Sequence, residues 1–210
     1  PRPEAEATLT VPWKGVWAAV EAMTVALRSP FDVTGAAASP DFGVVVRIEG
    51  FAGSVAYRAR ELDRRLRKFG PVSLEEDMQR CAEIWRKVRD VEPFHKRTGD
   101  VWRISVKPSE TPGIAERIGG EVMLDWGGGL IWVLVPEGTD LRSTARPYGG
   151  HATLVRASIE TRERLPRFEP EAPGIARLTA GLRAKFDPRS LFNPDLRGGQ
   201  GPIGSAGGIR

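Results

Sequence analysis

Two periodicities alternate along this chain in an order that leaves few folds open. Strand-like alternation at Ala7–Val11 leads into a helical pattern at 12–28, then two strands at 32–38 and 42–49 and a helix from Ser54 to Phe69. After a helical stretch at 74–91 the order repeats: a strand at 101–107, a short helix at 112–118 and two strands at 121–126 and 130–135. A helix at 140–146 and a strand at 151–156 complete the second series. Strand-helix-strand-strand-helix, met twice, predicts an α+β fold: an antiparallel sheet with helices packed on one face and ferredoxin-like elements. Gly127-Gly128-Gly129 between two strands reads as a hairpin turn.

Several local signals sharpen the elements. Trp13, Val16, Trp17, Val20, Met23 and Leu27 give the first helix one apolar stripe expected to be buried. Ser54 is expected to cap the second helix, with Val55, Ala59, Leu62, Leu66 and Phe69 inward and Arg and Glu outward. Residues 160–173 are charged and proline-rich and predict a loop. A last helix at 174–186 carries Ile175, Leu178, Leu182 and Phe186 on one side. It runs into Phe186-Asp187-Pro188, and Leu191-Phe192-Asn193-Pro194 follows. A proline disfavours helix at the residue before it, so the chain turns two corners here, with Leu191 and Phe192 expected as apolar anchors. From Gly199 the chain is glycine-rich, which predicts a mobile tail.

Composition narrows the function classes. The chain has 210 residues, 40% hydrophobic and 28% charged, enough for one well-buried domain. Its net charge of +4 is spread rather than blocked, so it suits an anionic ligand without pointing to nucleic acid. No apolar run approaches a membrane span. The lone Cys81 cannot form an internal disulfide, which favours a reducing, cytoplasmic setting, and on a helix it reads as packing. Two His and one Cys do not make a protein-only zinc site, so no metal is expected. Gly-x-Gly-x-x-Gly and phosphate-loop patterns are absent. The chain opens Pro1-Arg2-Pro3 without Met and reads as a piece of a longer protein.

Strand alternation places the candidate chemistry. If helices cover the apolar side, the opposite side carries Arg47, Arg103, Lys107, Asp125 and His151. The plain reading is a solvated sheet face. The functional reading is a ligand site: a guanidinium fork suits a carboxylate, and an imidazole can take a proton near neutral pH. Arg103 and His151 suit those two roles. His95 falls in a loop and reads as exposed, and the six Trp read mostly as packing.

Motifs in sequence order resemble those of the FAD-binding subunits of bacterial glycolate oxidases, within the FAD-linked oxidases of the vanillyl-alcohol-oxidase type. They are Val46-Arg47-Ile48-Glu49-Gly50 with Gly53-Ser54-Val55-Ala56-Tyr57-Arg58, Trp85-Arg86-Lys87-Val88-Arg89-Asp90, and Val101-Trp102-Arg103-Ile104-Ser105-Val106. Leu124-Asp125-Trp126-Gly127-Gly128, Gly149-Gly150-His151-Ala152-Thr153-Leu154 and Phe186-Asp187-Pro188…Phe192-Asn193-Pro194 follow. The family continues Asn-Pro-Gly-Arg-Met, whereas here Asp195-Leu196-Arg197 follows Pro194.

The resemblance implies a C-terminal substrate cap domain at 1–197, a glycine-rich tail at 198–210, and an N-terminal FAD-binding domain lying outside this chain. It implies oxidation of glycolate, or a close 2-hydroxy acid, to glyoxylate through FAD. His151 would be catalytic, Arg103, Lys107 and Arg47 would bind substrate, and Asn193 would contact the cofactor. The expected partners are the other glycolate oxidase subunits and the small 2-hydroxy acid. The expected location is cytoplasmic, peripheral to the inner membrane through those subunits. A domain that only docks those subunits is the alternative.

Overall fold

The computed structural model describes residues 3–189 and 191–192. Eight strands form one sheet: β1 Ala5–Val11, β2 Val33–Ser39, β3 Gly43–Gly50, β4 Ser73–Glu75, β5 Asp100–Ser105, β6 Glu121–Asp125, β7 Leu130–Val135 and β8 His151–Arg156. The helices are α1 Val16–Leu27, α2 Ala52–Leu66, α3 Met78–Arg89, α4 Thr111–Ile118, α5 Leu141–Ala145, α6 Ile159–Arg164 and α7 Pro173–Phe186. Strand order is β4-β1-β3-β2-β6-β7-β5-β8, with every pairing antiparallel.

That order is two βαββαβ units meeting edge to edge. β1-α1-β2-β3-α2-β4 builds the first, and β5-α4-β6-β7-α5-β8 repeats it with the strand order mirrored across the junction. The junction is narrow: β2 and β6 share one register pair, Ala38 with Leu124.

Alternation assigns the faces. Leu9, Val46, Ile48, Trp102, Ile104, Leu124 and Ile131 point to the side where α1, α2, α4 and α5 pack, giving the main core. The α+β antiparallel sheet with helices packed on one face is therefore what the chain forms. One helix adds to it: α3 crosses to the second face, where Val88, Ile84 and Trp85 pack with Ala37, Val45 and Met123.

Four sequence expectations change at this level. α1 buries Ala19, Val20, Ala22, Met23 and Ala26, while Trp17 and Leu27 are exposed. Small side chains let this helix approach the sheet, and that outweighs the size of the aromatic. Ser54 lies inside α2, which starts at Ala52 behind Phe51, and Arg58 from its polar side is buried among the carbonyls of Phe31, Asp32 and Glu49. Leu74 and Glu75, expected to open a helix, instead pair with Ser73 against β1 at Thr8–Thr10 as an edge strand. Within the expected loop at 160–173, α6 forms behind Ser158, whose side chain accepts from Thr161 N.

Two expectations about the C-terminal segment also fail. No residue of α7 is buried among the described residues, so its apolar stripe packs on nothing there. Leu191 and Phe192 are exposed rather than anchored; Asp187 instead accepts from both their backbone N–H groups. Asn193 and the glycine-rich tail lie outside the described residues.

Candidate functional site

The concave feature of the second face lies where α3 roofs the sheet beside β2. It is a cavity of about 730 Å³ whose lining includes Arg47, Glu6, Asp125, Trp85 and Trp126. Its floor is low because β2 reads Thr34-Gly35-Ala36-Ala37-Ala38. Gly35 pairs with Arg47, and a Cβ on Gly35 would stand 2.8 Å from the Trp85 indole. The glycine is what lets that indole lie flat on the strand. Trp85 is fixed at its other end by donating from Nε1 to Thr8 Oγ1 at 3.0 Å.

Arg47 rests on the Trp85 ring, its guanidinium carbon 4.7 Å from the ring centre. Its Nε lies 3.3 Å from Glu49 Oε2, an ion-pair distance without hydrogen-bond alignment. That buried Nε, like the buried Oε1 of Glu6, has no hydrogen-bond partner among the described residues. A guanidinium stacked on an aromatic and paired with Glu49 through Nε alone keeps N–H donors to spare for a carboxylate ligand.

Two acids share the cavity. Burial pushes Asp125 above the usual carboxylate range, opposed by the hydrogen bond it accepts from Trp126 N and by the charge of Arg47. Burial also raises Glu6, with Arg47 again opposing and Glu49 adding to the rise. At the rim, Trp126 has φ 52° and is 65% exposed. Such a conformation is strained for a residue with a Cβ, and it turns the indole outward. Gly127 follows in the left-handed region, where a Cβ would collide with the Leu27 side chain.

The sequence-derived residues divide between two places. Arg47 and Asp125 come together at the cavity. Arg103 sits on β5, four strand spacings from Arg47, on the order of 19 Å. It is half-buried and pairs with Thr153, while Ser105 pairs with the exposed His151. His151 and Arg103 are thus diagonal neighbours on the second face, on the order of 7–8 Å apart. No described helix roofs that end. β5 stops at Ser105, so Lys107 is not on the strand; it is exposed at the entry to the next turn. His95 is exposed, as expected.

Sequence reasoning passed over Glu6, Trp85 and Trp126 as parts of a site. The signal available for them was the low floor, Gly35 and three alanines in a strand that needs a large partner side chain across it. Cys81 is buried, its Sγ 3.3 Å from Glu75 O, and burial pushes its thiol up, away from the reactive thiolate. Among the described residues no group of three or more His, Cys, Asp or Glu is placed to hold a metal, and no helix is long and apolar enough to cross a membrane.

This architecture, a doubled βαββαβ sheet with a polar hollow on the side away from the main helix layer, is consistent with the cap domain of an FAD-linked oxidase. No family model matches the chain. The chain is homologous to the glycolate oxidase subunit GlcE of Escherichia coli (strain K12), 33% identical over 156 residues, which is 73% of this chain and 38% of that subunit. It therefore spans less than two thirds of the length of the relative it matches.

Proposed function

We propose that this chain is the substrate-side domain of an FAD-dependent 2-hydroxy-acid oxidoreductase of the glycolate oxidase kind, with its second sheet face turned toward the flavin. The homology supports the reaction class. The observation that carries the site is Arg47, ion-paired with Glu49 but with its buried Nε hydrogen-bonded to no described residue, in a hollow that also holds Asp125. The guanidinium holds the acid's carboxylate. Asp125, whose carboxyl is raised by burial, takes the proton of the hydroxyl. Bound FAD supplies a hydride acceptor for the substrate carbon.

The residues fit the ring and substrate end of such a cofactor rather than its phosphates. The glycine cluster 127–129 closes the β6–β7 connection in a single 3-10 turn and opens no α-helix, so it forms no phosphate cradle. Asn193 is the proposed cofactor contact from the C-terminal segment. Partner subunits of a glycolate oxidase complex complete the proposed assembly, and the unpacked apolar stripe of α7 suits docking of that kind.

A second placement of the acid has its own support. Arg103 and His151 are close enough, across Ser105 and Thr153, to hold a carboxylate and take a hydroxyl proton, with Lys107 adding positive charge nearby. Steady-state kinetics of the full-length, flavin-loaded protein separate the two. Arg47→Met is expected to lower kcat/KM for 2-hydroxy acids at least tenfold at normal flavin content, with Arg103→Met close to the parent. The reverse pattern moves the acid to the β5–β8 end, and no loss in either variant leaves the docking role alone.

A further inference from the structure

We infer that Glu6 is a second binding group for the acid held at Arg47: it takes up a proton as the carboxylate enters and donates the resulting O–H to it. The inference rests on the placement of the acid at Arg47 proposed above and adds the proton which that placement requires.

Register is the first argument. The alternation that sends Ala7 and Leu9 of β1 into the main core puts Glu6 and Thr8 on the second face. There Glu6 stands directly opposite Glu49, and Thr8 opposite Arg47. Opposed residues on one face hold their Cβ atoms about 4.5–5.5 Å apart, and like charges so placed repel. One guanidinium serves both acids: Arg47 pairs with Glu49 at 3.3 Å, and its charge also acts on Glu6, which lines the same cavity. The Oε1 of Glu6 is buried without a hydrogen-bond partner among the described residues.

Charge is the second argument. A ligand carboxylate at Arg47 is a third anion beside one cation, and the acid already disfavoured as an anion is the one to gain a proton. Burial and Glu49 both raise the Glu6 carboxyl, with Arg47 opposing, so Glu6 is that acid. The surrounding groups do not take its part. Glu75 is engaged by Asp77 N and Arg80, and Cys81 is kept a neutral thiol by burial. On the α3 side of the cavity, Arg89 is held by both oxygens of Asp90, and Arg86 is exposed, where solvent screens its charge. Asp125, on β6 beyond β2, keeps the hydroxyl proton as its task in the proposed reaction. A neutral carboxyl offers one O–H donor, so protonated Glu6 adds a hydrogen bond to the carboxylate beside Arg47. The proton comes from solvent, and the ligand stays an anion.

Acetate, which carries the carboxylate without the hydroxyl, is the probe. Its dissociation constant is read from its NMR methyl line with the full-length, flavin-loaded protein. While free Glu6 keeps its proton, affinity is independent of pH; above that range the proton must be taken up, and affinity falls by about tenfold per pH unit. The parent is therefore expected to bind acetate at least about tenfold more weakly at pH 8 than at pH 6. Glu6→Gln, whose amide N–H is permanent, should change by less than about twofold over the same range and bind more tightly than the parent at the higher pH. Infrared difference spectra of the parent need no variant to fold: a protonated-carboxyl band should appear on acetate binding, and its absence overturns the inference. So does a pH-independent affinity in the parent, a profile that Glu6→Gln leaves as steep, or one that Asp125→Asn flattens instead; the oxidoreductase reading stands in each case. Acetate that binds at neither pH, or equally well to Arg47→Met, overturns the placement at Arg47 and the inference with it.

Discussion

The two βαββαβ units share a plan and differ in what lies over their second faces. In the first unit α3 folds back across β1, β3 and β2, and Trp85, Arg47 and Gly35 create a roofed hollow. In the second unit Val88 of α3, with Val91 and Phe94 just after it, covers only Met123, Val101 and Leu134, while Arg103, Ser105 and His151 lie farther along the same face. The helices on the main face differ as well: α1 and α2 have 12 and 15 residues, whereas α4 and α5 have 8 and 5. A shorter helix covers less sheet, and the second unit makes up the difference with polar pins. Arg142 spans the carbonyls of Ala152, Pro166 and Arg167 and stacks over Trp102, tying the segment beyond α6 to the outer edge of β8. One unit supplies the concavity; the other is held closed by a buried guanidinium.

The comparison breaks most visibly at that pin. Arg142→Ala leaves three carbonyls without a charged donor and is expected to destabilise the chain by about 3–4 kcal/mol in urea unfolding. A loss near zero would show that the second unit does not depend on it. Next in size is Arg47→Met in the full-length protein, where, on the proposed placement of the acid, losing the carboxylate fork is expected to cost about 2–4 kcal/mol in kcat/KM. Arg103→Met changing more than Arg47→Met would assign the chemistry to the other unit.

Gly35→Ala tests the floor of the hollow. Its new Cβ would meet the Trp85 ring at 2.8 Å, and tilting that indole is expected to cost about 1–2 kcal/mol of stability. The Trp85 indole N–H resonance, read by NMR, should shift with it; an unmoved resonance would mean that the ring seat is loose.

The smallest expected effect is electrostatic. Asp125 and Glu6 are raised in the fold, so the folded chain keeps their protons at a pH where the unfolded chain has lost them. Stability should therefore fall as pH rises from the ordinary carboxylate range near about 4 through their native values. Glu121, at the other end of β6, is lowered by its hydrogen bond to Arg97 and has the opposite sign: its contribution is present at higher pH and lost on acidification. Its exposure makes that contribution small. Urea midpoints between pH 4 and 7 should decline less in a Glu6→Gln, Asp125→Asn variant than in the parent, and equal declines would remove these two groups as the cause.

The doubled element order was legible because each strand and helix carries its own periodicity. What escaped was whatever depends on neighbours distant in sequence. Ser73–Glu75 has no strand signature of its own and becomes a strand because β1 presents an open edge to it. Trp17 looks like core by size, yet the helix seats its alanines and leaves the indole to donate to Glu116. Arg58 reads as surface, and only the carbonyls of Phe31, Asp32 and Glu49 around it make burial tolerable. For the candidate site, alternation put Arg47, Arg103, Asp125 and His151 on one face. It carried no information on strand order, so the separation of Arg47 from Arg103 became visible only in three dimensions.

The narrow β2–β6 junction has a consequence for how such a chain is made. Residues 5–75 contain every strand of the first unit, so that unit can close while β6 is still unsynthesised. During that interval β2 is a raw sheet edge, a template on which another nascent chain could pair. Its sequence blunts the danger: Gly35 and the alanines beside it have little tendency to propagate a strand and little apolar area to offer a stranger. The same small residues that lower the cavity floor thus make that edge a poor template for strand pairing.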